Sequence, residues 1–439
     1  MRSTIFCLAA LAQLALTAVA ENHVTIPLFR RSPSPFYEAA GKQIDDGVLA
    51  GKVSVGTPPQ EFNVVFDTSM LPRSFRTGLS WIRGSKCRTE NCLDRCTYYS
   101  TRSTSAVSTG HKYSINYGDS CVDTRIYLDT VEFSGIKVPN MPIGGADRMS
   151  GFDAGFDGYL GLGPNIQFNK TGKLYAGQGN LQRRQTFENQ PSSFVNSAFQ
   201  IGQVQSPQFG VFVTPNATTY NTTTPAAPAN PAAPQPATNV PPSTGGFTKR
   251  SDADCPAGYL IFGGVDTSKI DGSFKYLPLA DPADGNSRNW DVCLRKADFG
   301  HGLSFDQHPD AIASISLSTS YITLPCRQAD KFHDKIGGKY LESTQTYSIK
   351  CSEISKLPPL KLRFDEYTVE LPASYWTKEV DAGRDCCQTL IRRGSSERDW
   401  VLGTSFTHAF YTSFDPEKEA LGLGVIKGTS KNGIKITKN

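Results

Sequence analysis

Residues 52–68 read KVSVGTPPQEFNVVFDT, and this stretch decides the fold. Residues 52–56 alternate polar and apolar side chains, as a half-buried strand does. Thr57-Pro58-Pro59-Gln60 follows as a turn, since proline presets φ and cannot donate to a ladder. Residues 62–66 then form a second, apolar run. Two such runs joined by turn chemistry predict a hairpin whose second strand delivers the Asp67 carboxylate to the start of a loop. An Asp before a Thr at a strand end is often only a turn former. Asp67 therefore acquires chemical meaning only from its surroundings.

Outward from this hairpin the β character continues. Further strands are expected at residues 113–117, 126–133, 209–213, 259–262 and 349–364. The chain has 439 residues, enough for two or three domains of about 150 residues each. It is 38% hydrophobic and 20% charged, which excludes a disordered or wholly membranous polypeptide. The formal net charge is only +4, and no basic run exceeds a dibasic pair, so nucleic acid is not an expected partner.

The first twenty residues read as a signal peptide: Arg2, an apolar run over residues 5–16, and the small-residue cleavage site Ala18-Val19-Ala20. The run is too short to span about 30 Å of hydrocarbon, and no later stretch approaches that length. A secreted product with no membrane segment is expected, with a vacuolar destination as the alternative. Of eleven cysteines, Cys7 leaves with the leader; the remaining ten are even in number, which suits disulfides in an oxidising compartment. Cys87, Cys92 and Cys96 have no nearby histidine at zinc-site spacing, so disulfides are favoured over metal there. Sequons at Asn169, Asn216 and Asn221 fit a glycoprotein surface. Arg30-Arg31 ends a candidate short propeptide, residues 21–31. Residues 214–254 are rich in Pro, Ala and Thr without hydrophobic periodicity and read as a glycosylated loop insert. The insert contains a second dibasic pair, Lys249-Arg250, at which the chain could be nicked. It separates an N-terminal lobe, residues 32–213, from a C-terminal lobe, residues 255–428, and residues 429–439 form a polar tail.

Several segments carry a family resemblance in consistent order. Residues 52–68 resemble the first active-site hairpin of the pepsin-like aspartic peptidases, in which a G-T-P-x-Q turn leads to D-T-G. Tyr117-Gly118-Asp119 resembles the flap that closes over substrate. Residues 157–163, DGYLGLG, resemble D-G-I-L-G-L-G, and residues 260–266, LIFGGVD, resemble the opening of the second lobe. Residues 400–403, WVLG, resemble W-I-L-G, and residues 410–424 resemble the closing F-D and G-L run. The resemblance covers residues 50–428 and implies an all-β, bilobal fold with a substrate cleft between two β-rich lobes. It implies Asp67 as the first catalytic aspartate, Tyr117, Gly118 and Asp119 as flap residues, and a second-lobe disulfide from Cys351 to Cys386 or Cys387. It calls for no cofactor and no metal.

The second active-site loop departs from the pattern. Ile322-Thr323-Leu324-Pro325 is in place, and counting back puts Ser316-Leu317-Ser318 where the family has D-[TS]-G. Ser316 thus stands where a second aspartate is expected, and the nearest upstream acid, Asp310, lies across a predicted strand. Two adjacent carboxylates share one proton, one activating water and the other polarising the carbonyl; a serine hydroxyl cannot take either part. Leu317 replaces a hydroxyl residue that helps lock the two loops, and Thr404 replaces the Asp that follows W-I-L-G. The first loop has Ser69 for glycine and an insertion over residues 69–77. An alternative register there sets Arg76 at the aspartate position, but it breaks the hairpin register.

The expected function is therefore a secreted pepsin-like homologue, monomeric, with little or no endopeptidase activity, holding a peptide or protein in the inter-lobe cleft. The alternative is an active secreted aspartic endopeptidase working at acidic pH, and a third reading is a purely structural glycoprotein. His301, His308, His333 and His408 show no pairing with Ser or Cys motifs and are expected on the surface.

Overall fold

The computed structural model describes residues 24–30, 48–68, 78–117, 120–152, 155–166, 191–213, 258–282 and 288–439. The leader, the 214–254 insert and the sequons Asn169, Asn216 and Asn221 lie outside them.

The architecture is almost entirely β. The first half contributes β1 (Val24–Arg30), β2 (Leu49–Val55), β3 (Gln60–Asp67), β4 (Trp81–Arg83), β5 (Val107–Asn116), β6 (Cys121–Phe133), β7 (Ile136–Ser150), β8 (Gly158–Gly161) and β9 (Phe209–Val213), with helix α1 (Phe194–Gln200). The second half begins with β10 (Gly258–Phe262), β11 (Ile270–Pro278), β12 (Asp291–Asp298), β13 (Ser304–Asp306), β14 (Ile312–Ile315) and β15 (Ile322–Pro325), then α2 (Cys326–Ile336). It continues through β16 (Lys339–Leu341), β17 (Thr346–Lys350), β18 (Leu360–Phe364), β19 (Tyr367–Leu371), β20 (Thr377–Asp381), β21 (Cys386–Thr389), β22 (Ile391–Gly394) and β23 (Trp400–Leu402). Helix α3 (Thr404–Thr407), β24 (Phe410–Asp415), β25 (Ala420–Ile426) and β26 (Lys435–Lys438) complete it.

One sheet of thirteen strands runs β11-β25-β24-β9-β10-β1-β2-β3-β8-β4-β7-β6-β5, so strands from both halves share a continuous ladder. A second sheet, β22-β15-β23-β14-β12-β18-β19-β26 with β13 beside β12, and a small sheet, β16-β17-β21-β20, belong to the second half. The 52–68 hairpin forms as its alternation requires: β2 pairs antiparallel with β3, Val53 opposite Phe62, and the inward residues Val53, Val55, Phe62, Val64 and Phe66 are buried. The main core joins both halves through Phe66, Phe133, Phe194, Phe209, Phe262, Trp290 and Trp400, and a second cluster packs around Trp81, Phe152 and Tyr159.

Strand β1 falls within the stretch read as a candidate propeptide. It lies between the two halves, pairing with β10 from Val24↔Phe262 to Leu28↔Gly258 and with β2 at Phe29↔Ala50 and Arg30↔Leu49. The residues after 428 likewise end in a strand, β26, which pairs with β19.

Two expectations are corrected. Residues 349–364 are not one strand: β17 ends at Lys350, a 3-10 helix spans Cys351–Lys356, and β18 starts at Leu360. Pro358 and Pro359 have no amide hydrogen to give a ladder, so the chain cannot stay paired there. His333 is not on the surface but wholly buried, because α2 turns Ala329, Phe332 and His333 inward at helical spacing. Its Nε2 lies 2.7 Å from Thr389 Oγ1, and its ring stacks on Tyr347 at 3.5 Å.

A chain starting at residue 32 uncovers the β2 and β10 edges. Compared with one starting at residue 21, it should unfold at lower denaturant and self-associate, as read by denaturation and light scattering. Burial holds the His333 imidazole down to a pKa of about 4. The unfolded chain therefore binds a proton that the native state refuses as pH falls from about 6.5 towards 4, and up to about 3 kcal/mol of stability is lost across that window. Denaturation at stepped pH should show this slope in the native sequence and a flatter one in His333→Gln.

Candidate functional site

The candidate site forms where β3 and β14 end. β3 runs parallel to β8, with Phe66 beside Leu160 and Asp67 beside Gly161. β14 runs parallel to β23, with Ile315 beside Leu402, so the next residue, Ser316, comes level with Gly403. In each half a third strand crosses antiparallel to the second: β4 against β8, and β15 against β23. Both crossings need a glycine. A Cβ on Gly158 would lie 1.9 Å from the Trp81 carbonyl oxygen, and one on Gly403 would lie 2.4 Å from that of Tyr321. The same three-strand arrangement therefore occurs twice, and Asp67 and Ser316 occupy the same point in it.

The two loops are joined by Thr68. Its hydroxyl donates to the Ile315 carbonyl at 2.8 Å and accepts from the Leu317 amide at 3.2 Å. Leu317 is buried and has no hydroxyl to return the contact. Asp67 is completely buried, and its Oδ2 accepts from the Tyr117 hydroxyl at 3.1 Å. The Trp81 indole Nε1 donates to the same hydroxyl at 2.8 Å. Burial first, then the neighbouring Asp67 charge, pushes the Tyr117 phenol well above its usual range, so it remains a donor. Gly118 and Asp119 lie outside the described residues, as do residues 69–77.

Ser316 is 3% exposed; its amide donates to the Leu402 carbonyl, and its hydroxyl lies 3.1 Å from that of Ser318. Thr404 sits beside this loop with its amide on the Thr319 carbonyl, while its buried hydroxyl has no hydrogen-bond partner among the described residues. Asp310 is exposed beyond the far end of β14, its amide capped by His308, and takes no part. A separate cavity of about 370 Å³, lined by Leu162, Phe209, Trp290, Arg288 and Glu419 among others, does not include Asp67, Tyr117 or Ser316.

Among the described residues the disulfides are Cys87–Cys92 and Cys351–Cys387. Cys386 is not bonded: successive β21 side chains face opposite sides, and it is Cys387 that turns inward to Cys351. Among the described residues Cys96, Cys121 and Cys326 are also free thiols, so the even count of cysteines does not translate into full pairing. Among the described residues no group of three or more His, Cys, Asp or Glu could hold a metal ion, and no helix is long and apolar enough to cross a membrane.

Three features of the site were not singled out in the sequence: the inter-loop contact of Thr68, the Trp81 contact that steadies Tyr117, and the Ser80 hydroxyl, which accepts from the Gly161 amide. Ser80 and Trp81 close the stretch 77–81, TGLSW, which resembles the T-G-S-S-x-L-W continuation of the family's first loop and is the sequence signal for the last two.

The model of the family described as eukaryotic aspartyl protease matches residues 49–219 and 248–426. Cathepsin D of Gallus gallus is 25% identical over 396 residues, covering 87% of this chain and 81% of the relative. Gastricsin of Mus musculus is 23% identical over 385 residues, covering 86% and 81%. Pregnancy-associated glycoprotein 1 of Bos taurus is 23% identical over 387 residues, covering 87% and 82%.

Thr68→Val should leave the Ile315 carbonyl and the Leu317 amide buried without their partner and cost about 2–4 kcal/mol. Thr68→Ser, which keeps the hydroxyl, should cost much less. Denaturant unfolding of the two variants reads the difference.

Proposed function

We propose that this chain, which belongs to the eukaryotic aspartyl protease family, is a secreted homologue that holds a peptide or protein in its inter-lobe cleft and has little or no endopeptidase activity. One observation carries the reading. The strand arrangement that presents Asp67 is repeated in the second half, and at the equivalent point the side chain is Ser316. Asp67 is then the surviving catalytic aspartate and Ser316 stands in place of the second.

The chemistry follows from what each group can do. Peptide hydrolysis by this family's machinery needs one ionised carboxylate to take a proton from water and one protonated carboxyl to polarise the scissile carbonyl. Asp67 can accept a proton. Ser316 cannot be the acid, since an aliphatic hydroxyl is a weak donor whose nearest polar neighbour in the loop is another serine hydroxyl. Removal of one such general acid–base group costs roughly 10²- to 10⁴-fold. The Tyr117 hydroxyl meanwhile rests on Asp67 Oδ2, on the carboxylate that would activate water. Binding is the function that remains: the loops are still locked by Thr68, and the family fold holds peptides between its lobes.

The purified protein should show no cleavage of a denatured protein substrate at about pH 4, and Ser316→Asp combined with Ser318→Gly should gain cleavage by at least about 100-fold over that background. Cleavage by the native sequence that is blocked by a transition-state aspartic-peptidase inhibitor and lost in Asp67→Asn would overturn the reading and establish an active endopeptidase instead.

A further inference from the structure

Beyond the Ser316 loop the chain passes through Tyr321 into β15, and the strand running parallel beside β15 is β22, with Thr323 opposite Arg392. The two adjacent arginines of β22 have different surroundings. Arg393 is committed to the structure: its Nε donates to Asp330 at 2.8 Å and its guanidinium lies over the Tyr340 ring at 3.8 Å. Arg392 makes no ion pair among the described residues. Its guanidinium lies 4.2 Å over the ring of Tyr321, and both side chains are half-exposed. The Gln388 amide donates to the Tyr321 hydroxyl at 3.3 Å, which fixes the ring beneath the cation. Lys378 stands directly opposite Gln388 in the β20–β21 ladder, on the same face.

The Tyr321 backbone is held against the candidate site. Its carbonyl accepts from Gly403, and Thr319, two residues earlier, accepts from Thr404. The stacked cation is therefore anchored to the same backbone frame as Ser316. A guanidinium held over an aromatic ring has already given up part of its rotamer freedom and still has N–H groups to offer, so it can take a carboxylate in a forked contact at reduced further cost.

We propose that Arg392, on its Tyr321 platform with Gln388 and Lys378 beside it, is an anion-accepting subsite on the second-lobe rim of the cleft. It selects peptide ligands that carry an acidic residue at one defined position. This inference rests on the reading of the cleft as a peptide-binding site.

The test uses the secreted full chain and fluorescein-labelled, alanine-rich decapeptides in which a single Glu is walked along the sequence, each with a Gln counterpart. Fluorescence polarisation at neutral pH and low salt should find one position at which Glu binds about five- to tenfold tighter than Gln. That preference should shrink as salt is added. Arg392→Gln should erase it while leaving the Gln peptide's affinity unchanged, and Arg392→Lys, which keeps the charge without the fork, should retain part of it. Two results overturn the subsite alone: neutral peptides that bind with no position preferring Glu, or a Glu preference that survives in Arg392→Gln. If none of the peptides binds, the cleft reading falls and the subsite falls with it.

Discussion

The hydroxyl of Thr68 links backbone groups that lie 247 and 249 residues further along the chain. It donates to one side of Ser316 and accepts from the other, so the loop that carries Asp67 and the loop that carries Ser316 cannot move independently. Everything else about the site depends on that register. The buried position of Asp67, the reach of Tyr117 and the level at which Ser316 sits all presuppose that the two halves meet at this point. This buried hydroxyl serves as donor and acceptor at once, and both of its backbone partners would be left without that bond if it were removed.

The junction is nonetheless one-sided. A hydroxyl at position 317 could return the contact to the first loop, but Leu317 is buried there with only hydrocarbon to offer. The Thr404 hydroxyl, without a hydrogen-bond partner among the described residues, lies on the same side. The polar wiring is thus intact around Asp67 and reduced around Ser316, while the strands beneath both loops repeat closely. The glycines, the crossing strands and the aromatic core are those of a two-lobed frame, and the two loops it carries differ in their polar side chains.

Much of this was legible in the sequence because it was written locally. The 52–68 hairpin has alternation on one side and a proline turn in the middle, and β15 has a short apolar run ending in proline. Each is specified by residues within a few positions. The exceptions are long-range. β1 has an ordinary seven-residue sequence within the first thirty residues, and only its partners, one of them more than 200 residues away, make it a strand of the joining sheet. His333 looks like any helical histidine until the face of α2 that packs inward is known. Cys386 and Cys387 are adjacent, and only the pleat decides which of them reaches Cys351. The Arg392 stack depends on three segments, at 321, 388 and 392, that no spacing rule connects.

The insert between β9 and β10 interrupts a hairpin whose strands pair from Phe209↔Phe262 to Val213↔Gly258, in the middle of the largest sheet. Closing a loop across a fixed gap costs only about 0.6 kcal/mol more for each doubling of its length. The sheet is therefore nearly indifferent to what lies between residues 213 and 258. A chain cut there would still be two strands of one ladder, and separating the pieces would require opening the core that both halves share. By the same reasoning, this is the place in the molecule where a foreign domain could be spliced in with its own ends close together and the cleft undisturbed.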